Sequence, residues 1–130
     1  MHPADIADSE RLVIFVFGDD MKEDGAHWRA FMPGNSDGER SLYRSDGLDF
    51  CEVAAIGQEV ARLRPDKQLR GWAVISASDV RGLPGLQLKT AEPPERHGII
   101  DSWPTEKIEK VSLAQSLASA AATIRFPFAP

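Results

Sequence analysis

One apolar run, Arg11–Phe17, constrains the fold of this chain more than any other stretch. After its first residue the run contains only leucine, valine, isoleucine and phenylalanine, and Gly18-Asp19-Asp20 ends it. A short run of β-branched and aromatic residues bounded by turn residues is typical of a strand buried on both faces. We therefore expect Leu12–Phe17 to be a central strand of a sheet.

Alternating patterns predict further strands. The segment His27–Met32 is predicted to be a second strand, with alternate side chains on opposite faces. A turn at 33–38 separates it from a third predicted strand at Arg40–Arg44. Connections this short favour an antiparallel meander. Three more strands are predicted at Leu69–Ser76, Leu86–Lys89 and around Ile99-Ile100.

Two amphipathic segments predict helices. Asp49 is followed three residues later by Glu52 in a capping-box arrangement, and apolar residues at three- and four-residue steps continue to Leu63. Gly57 inside this helix costs about 1 kcal/mol relative to alanine. A close approach to a strand would explain that cost, and so would a ligand. A second long helix is predicted at about Pro104–Thr123, with a proline as its first residue.

These elements together predict a single α+β domain over residues 1–130. It would consist of a mostly antiparallel sheet of four to six strands with two helices packed on one face. Residues 1–10 are polar and are expected to be flexible. Phe126 and Phe128, near the end of the chain, are expected to dock against the edge of the core.

The single cysteine and the N-terminus indicate the compartment. Cys51 has no second cysteine to pair with, which fits a reducing cytoplasm, and we expect it to be a small buried hydrophobe rather than a reactive thiol. Met1–Arg11 lacks the basic start and apolar run of a signal peptide. The longest apolar run, Leu12–Phe17, is too short to cross a bilayer. We therefore predict a cytoplasmic protein with no membrane partner.

The charge balance argues against nucleic acid as a partner. Twenty acidic and fifteen basic residues give a formal net charge of -5, whereas nucleic-acid affinity comes mainly from neutralising phosphates. The alternative is a local surface for single strands, in which basic residues are interleaved with aromatic ones. Its candidate residues are Arg40, Arg44, Arg62, Arg64, Lys67 and Arg70, with Tyr43 and Trp72.

The connection Glu92–Lys107 concentrates residues that could carry chemistry. His97 and Asp101 could pair an imidazole with a carboxylate that fixes its tautomer, as a general base requires. Arg96 could hold a phosphate or a carboxylate. Alternatively, His97 bonds a neighbouring carbonyl while Trp103 packs on the core, and the residues have a structural role only.

Motifs for other kinds of chemistry are missing from the sequence. It contains no Gly-x-Ser-x-Gly elbow, no paired histidines or cysteines at metal-binding spacing, and no glycine-rich phosphate loop. We therefore predict no metal site, no cofactor and no established catalytic residue.

Two segments resemble a family of small uncharacterised bacterial proteins. They are Tyr43–Leu48, with its Arg-x-Asp-Gly-Leu pattern, and Arg96–Pro104, with Arg-His-x-x-Ile-x-x-Trp-Pro. The resemblance extends over about residues 28–124. It implies a self-contained unit and supplies no catalytic residues.

Two functions follow from these patterns. The first is a non-enzymatic protein-interaction or ligand-binding module that contacts another protein or a small anionic ligand through Arg44, Asp46, Arg96, His97 and Trp103. The second is a small enzyme acting on a phosphate- or carboxylate-bearing substrate, with His97 as acid or base beside Asp101. We favour the first, because a catalytic site normally shows at least two matched groups.

Overall fold

The fold is described from a computed structural model, which covers residues 5–34 and 37–125. The strands are β1 Arg11–Phe17, β2 Met21–Lys22, β3 Gly25–Ala26, β4 Arg40–Arg44, β5 Leu69–Ser76, β6 Gln87–Thr90, β7 His97–Asp101 and β8 Ala122–Arg125. Six of them form one antiparallel sheet in the order β6-β7-β4-β1-β5-β8, and β2 and β3 form a separate hairpin. The prediction of an α+β domain with a mostly antiparallel sheet is confirmed.

Strand β1 lies inside the sheet, as its apolar run predicts. It pairs with β5 along its whole length and with β4 at Leu12↔Arg44 and Val13↔Tyr43. Its side chains alternate between two cores, so that Ile14 belongs to one and Phe15 to the other. Because every residue from 12 to 17 is apolar, both faces of this strand must be covered.

Three helices cover the sheet: α1 Phe50–Ala61, α2 Ala77–Arg81 and α3 Lys107–Ala120. Helix α1 packs on the face that carries Phe15, whereas α2 and α3 pack on the face that carries Ile14. The two long helices therefore lie on opposite faces, and the prediction that both pack on one face is wrong. The physical reason is the continuous apolar run of β1, which places apolar side chains on both faces of the sheet, so that each face must be covered.

Helix α1 begins as its capping box predicts. The Asp49 carboxylate accepts from the Glu52 N–H at 2.8 Å, and the Glu52 carboxylate accepts from the Asp49 N–H at 3.1 Å. A Cβ built on Gly57 would lie 2.8 Å from Cε1 of Phe15, so close packing on the sheet explains the glycine. Cys51 is exposed and not buried as expected, because it lies about 200° around the helix from the inward-facing Val53.

The predicted strand at His27–Met32 is wrong. The chain forms a 3-10 helix there, Trp28–Phe31, with the His27 side chain accepting from the Arg29 N–H at 3.1 Å. The meander is wrong for the same reason, since β1 pairs directly with β4. Six residues are too few for alternation to distinguish a strand from a tight helix whose buried residues, Ala30 and Phe31, are adjacent.

The last helix differs from the expectation. Helix α3 begins at Lys107, not at Pro104, and ends at Ala120, so that residues expected to finish it form β8 and pair with β5. At the other end of the chain Ile6 is buried in the core, and the flexibility of residues 1–10 stays a prediction. Residues 1–4 and the predicted docking of Phe126 and Phe128 lie outside the described residues.

In the described part of the chain, no helix is long and apolar enough to cross a membrane.

Candidate functional site

Arg44 is a structural residue rather than an exposed ligand-binding group. Its side chain is 3% exposed, and its Nε and Nη2 donate to the two carboxylate oxygens of Glu10 at 2.8 and 2.7 Å. The hydrogen bonds to Glu10 raise the pKa of Arg44 despite its burial. In a buried pair of this geometry the carboxylate neutralises the guanidinium, so Arg44 is not available to bind an anionic ligand.

Arg96 and Asp46 lie beside Arg44, and the side chain of Arg96 contacts the backbone of the other two residues. The Arg96 guanidinium donates to the carbonyl oxygens of Arg44 at 3.2 Å and Asp46 at 3.0 Å. The Asp46 carboxylate accepts from the backbone and side chain of Arg11. These bonds hold the turn after β4 against the loop before β7. A structural role therefore explains why Arg44, Asp46 and Arg96 lie together.

His97 and Asp101 do not form the predicted pair. They lie four residues apart on strand β7, which separates their Cα atoms by about 13 Å in an extended chain. Asp101 instead forms an ion pair with Lys89 of the neighbouring strand at 2.8 Å. The hypothesis that Asp101 fixes the tautomer of His97 is therefore wrong.

The alternative interpretation of His97 and Trp103 agrees with the contacts. Nδ1 of His97 lies 2.9 Å from the carbonyl oxygen of Ala91, so Nδ1 carries the proton and donates it. The His97 ring packs at 5.2 Å from the Tyr43 ring. Trp103 is half-buried against the core and donates from its indole to the Ile100 carbonyl at 3.0 Å. Neither residue is positioned as a free anchor for a partner.

A different site lies where β1 and β4 separate. Beyond the pair Val13↔Tyr43, the same register would place Phe15 opposite Ser41. The guanidinium of Arg40 lies between these two strands and donates to the carbonyl oxygens of Phe15 at 3.3 Å and Ser41 at 3.1 Å. Its Nε donates to the carbonyl oxygen of Ala30 at 2.7 Å. Arg40 thus joins the sheet to the 3-10 helix.

Arg40 carries a charge that the described residues leave without a carboxylate partner. Its three hydrogen bonds all go to backbone carbonyl oxygens. Burial, together with the positive charge of Arg64, lowers the pKa of Arg40 to about 10, and the charge of Asp20 opposes the shift. A guanidinium that is partly removed from water in this way is costly unless an anion lies near it.

Arg40 lines a cleft of about 590 Å³, which we name the Arg40 cleft. Five basic and three acidic side chains contribute to its lining, so its formal charge is +2 when all are ionised. The basic residues are Arg29, Arg40, Arg64, Lys67 and Lys107, and the acidic residues are Asp20, Asp37 and Glu39. A volume of this size is typical of a small-molecule site.

The cations of the cleft are not equivalent. Arg29 is partly neutralised by Asp20, whose carboxylate lies 3.3 Å from Nε of Arg29. Arg64 instead places its guanidinium 4.8 Å from the centre of the Phe17 ring, which holds the side chain over the cleft. Arg64 and Lys67 are both exposed. A charged ligand can therefore reach them from solvent.

The other wall of the cleft is apolar and belongs to the 3-10 helix and the residues after it. Trp28, Met32 and Pro33 line it, each of them half-buried. His27 caps this helix and packs its ring at 4.9 Å from that of Trp28. Burial lowers the pKa of His27, as do the nearby charges of Arg29 and Lys22. A neutral His27 is the form that can accept from the backbone at this cap.

Part of this site belongs to the nucleic-acid surface that the sequence offers as an alternative. That surface includes Arg40, Arg64 and Lys67, and the structure brings these three residues together in the Arg40 cleft. Arg44 and Trp72 of that group are 3% and 2% exposed and cannot stack on bases. The isolated charge of Arg40 had no sequence signal, because it depends on which carboxylates the fold brings near.

Among residues 5–34 and 37–125, no group of three or more histidine, cysteine, aspartate or glutamate side chains is arranged to hold a metal ion.

No protein-family model, curated protein or solved structure matches this chain. Its function must be argued from its own residues.

Proposed function

We propose that this protein is a non-enzymatic module that binds a small anionic ligand in the Arg40 cleft. The observation that carries the proposal is the guanidinium of Arg40, which is partly buried and donates only to carbonyl oxygens among the described residues. The ligand is a small anion, as expected from the sequence, but its proposed site is at Arg40 and not at Arg44.

The hydrogen-bonding capacity of Arg40 supports this proposal. A guanidinium has five N–H donors, and three of those of Arg40 donate to backbone carbonyl oxygens. Two N–H groups are therefore left for a ligand. Hydrogen bonds between a guanidinium and an anion are about twice as strong as neutral ones. Because Arg40 is already fixed at three points, little side-chain entropy is lost when the anion binds.

The surrounding charges support the same proposal. Arg64 and Lys67 add two exposed cations beside Arg40, and in the described structure neither forms an ion pair with a carboxylate. The formal charge of +2 in the cleft contrasts with the net charge of -5 of the whole chain. A local positive potential on an acidic protein favours one anion-binding place over the remaining surface.

The arrangement favours binding over catalysis. His97, the acid or base candidate from the sequence, is not among the residues that line the Arg40 cleft. Its expected partner Asp101 is engaged with Lys89. The enzyme hypothesis therefore lacks the matched pair of groups that it requires.

Calorimetric titration with inorganic phosphate at low ionic strength tests the proposal. The wild-type protein should bind one phosphate per chain, and the double variant Arg64→Gln, Lys67→Gln should bind it at least about tenfold more weakly, because two charged contacts are lost. Both side chains are exposed, so the double variant should fold normally.

Arg62→Gln is the matched control. Arg62 lies in the same segment and is 75% exposed, but it forms an ion pair with Glu59 and does not line the Arg40 cleft. The control should bind phosphate as the wild type does. An equal loss in the control, or no binding by the wild type at millimolar phosphate, would contradict the proposal.

A further inference from the structure

The Arg40 cleft is larger than a simple inorganic anion requires. Its volume is about 590 Å³, whereas a water molecule takes about 30 Å³ of liquid and a tetrahedral oxyanion a few times that. Most of the cleft would remain filled with water if only an inorganic anion were bound. The volume therefore corresponds to an anion attached to an organic group.

The cleft is divided into a charged part and an apolar part. Arg64 and Lys67, which follow helix α1, contribute to the first, and Trp28, Met32 and Pro33 contribute to the second. Arg40 lies between the two, since it donates both to Phe15 of the sheet and to Ala30 of the 3-10 helix. A ligand held by Arg40 can thus extend its organic part toward the 3-10 helix.

The apolar wall suits a flat hydrophobic group. Trp28 offers an aromatic face that prefers offset or edge contacts with another ring. Met32 has a flexible, polarizable thioether that adapts to rings of different shape. Both side chains are half-buried, so that part of each is open to the cleft.

The charged part suits a dianion. The formal charge of the cleft lining is +2. Four cationic side chains that form no ion pair with a carboxylate in the described structure, Arg40, Arg64, Lys67 and Lys107, contribute to it. A phosphomonoester carries close to two negative charges above pH 7 and presents three terminal oxygens, whereas a sulfonate carries only one charge.

From this arrangement we infer that the ligand of the Arg40 cleft is a phosphomonoester of a flat, apolar or aromatic group, with the phosphate on Arg40, Arg64 and Lys67 and the ring against Trp28 and Met32. This inference rests on the proposed function, since it names the class of anion that the cleft binds.

A series of small probes tests the inference by calorimetry at pH 8 and low ionic strength. The probes are phenyl phosphate, inorganic phosphate, phenylsulfonate and phthalate, which vary the ring, the charge and the shape of the anion separately. Phenyl phosphate should bind about tenfold more tightly than inorganic phosphate, because the ring buries apolar surface against Trp28. It should exceed phenylsulfonate and phthalate by at least the same factor.

Variants of the apolar wall locate the ring. Trp28→Ala and, independently, Met32→Ala should reduce the preference for phenyl phosphate over inorganic phosphate and leave the affinity for inorganic phosphate within about twofold. Leu63→Ala is the control, because Leu63 is an 83% exposed apolar residue outside the Arg40 cleft. Circular dichroism establishes that each variant is folded, and two separate wall variants keep the test valid if one is not.

The outcomes separate this inference from the proposed function. Equal binding of phenyl phosphate and inorganic phosphate would overturn the ring assignment and leave the anion-binding proposal standing. Equal binding of phthalate or phenylsulfonate would overturn the assignment of a phosphomonoester. If no probe binds at millimolar concentration, both the inference and the proposed function fail.

Discussion

Arg40 and Arg44 lie four residues apart on strand β4 and extend toward the same face of the sheet, yet their surroundings differ in one decisive respect. Arg44 is 3% exposed and meets both carboxylate oxygens of Glu10. Arg40 donates to three carbonyl oxygens, and in the described part of the chain it forms no ion pair with a carboxylate. Of two arginines on the same face of one strand, Arg44 is therefore neutralised by an ion pair and Arg40 is not.

The difference indicates which arginine is structural and which is available to a ligand. A buried cation that is neutralised within the fold contributes to the native state and leaves nothing for a partner. A cation that is fixed by dipoles alone retains its charge for an external anion. On this basis Arg44 holds the N-terminal segment to the sheet, whereas Arg40 is the arginine that we propose for the ligand site.

The largest expected effect comes from removing the counter-charge of Arg44. Glu10→Gln leaves the Arg44 guanidinium buried without its carboxylate, and breaking a buried pair in this way costs about 3–5 kcal/mol. Urea denaturation at pH 7 should show this loss in the free energy of unfolding.

Asp8→Asn is the matched control for Glu10→Gln. Asp8 forms an ion pair with Arg81 at 2.6 Å, but the two side chains are 75% and 35% exposed, so the pair is worth about 0–1 kcal/mol. A loss of less than about 1 kcal/mol for Glu10→Gln would show that Arg44 is not the neutralised, structural member of the comparison.

A smaller effect on stability is expected for Arg40→Met. The variant loses three hydrogen bonds to carbonyl oxygens, each worth about 0.5–1.5 kcal/mol, but it also removes a desolvated charge. These two changes oppose each other, so the net loss in the absence of an anion should be at least about 1 kcal/mol less than that for Glu10→Gln. The same denaturation experiment in phosphate-free buffer measures it.

Added phosphate should distinguish Arg40→Met from the wild type. Ligand binding to the native state stabilises it by mass action. Phosphate should therefore raise the unfolding midpoint of the wild type and leave that of Arg40→Met unchanged. A variant that is stabilised by phosphate as much as the wild type would remove Arg40 from the site.

The smallest effect concerns the wall of the Arg40 cleft and depends on pH. The pKa of His27 is lowered in the folded state by burial and by Arg29 and Lys22, so it lies below the unfolded value. The neutral ring accepts from the Arg29 N–H, which protonation prevents. The stability that this cap contributes is therefore fully present above pH 6.5 and is lost as the pH falls through the folded pKa.

An NMR titration of the imidazole signals measures this prediction directly. His27 should titrate below pH 6.5, and the free energy of unfolding should fall over that range in the wild type more than in His27→Asn, since asparagine also caps helices. A His27 that titrates at or above pH 6.5 would show that the cap does not depend on the neutral ring.

The parts of the fold that the sequence predicts are those encoded by neighbouring residues. The continuous apolar run identifies β1, and Asp49 with Glu52 identifies the start of α1. The parts that it misses depend on distant residues. Strand β8 follows α3 directly and is defined by its pairing with β5, and the covering of both sheet faces depends on how α1 and α3 pack.

The same limit applies to the candidate site. The unusual residues near His97 suggest a site in the sequence. In the structure, however, Arg96 and His97 form hydrogen bonds to backbone carbonyl oxygens, and Asp101 forms an ion pair with Lys89. The distinction between Arg40 and Arg44 lies in Glu10, which is 34 residues from Arg44 in the chain. No local sequence pattern predicts that one arginine forms an ion pair with a carboxylate and the other does not.

The difference between Arg40 and Arg44 is tested most directly by an NMR titration of the arginine Nε–H groups with inorganic phosphate in low-salt buffer, with the signals assigned by Arg40→Lys and Arg44→Lys. We expect the Arg40 signal to shift with phosphate and to saturate, and the Arg44 signal to stay in place because Glu10 already occupies its donors. A stationary Arg40 signal, or an Arg44 signal that shifts as far as that of Arg40, would contradict it.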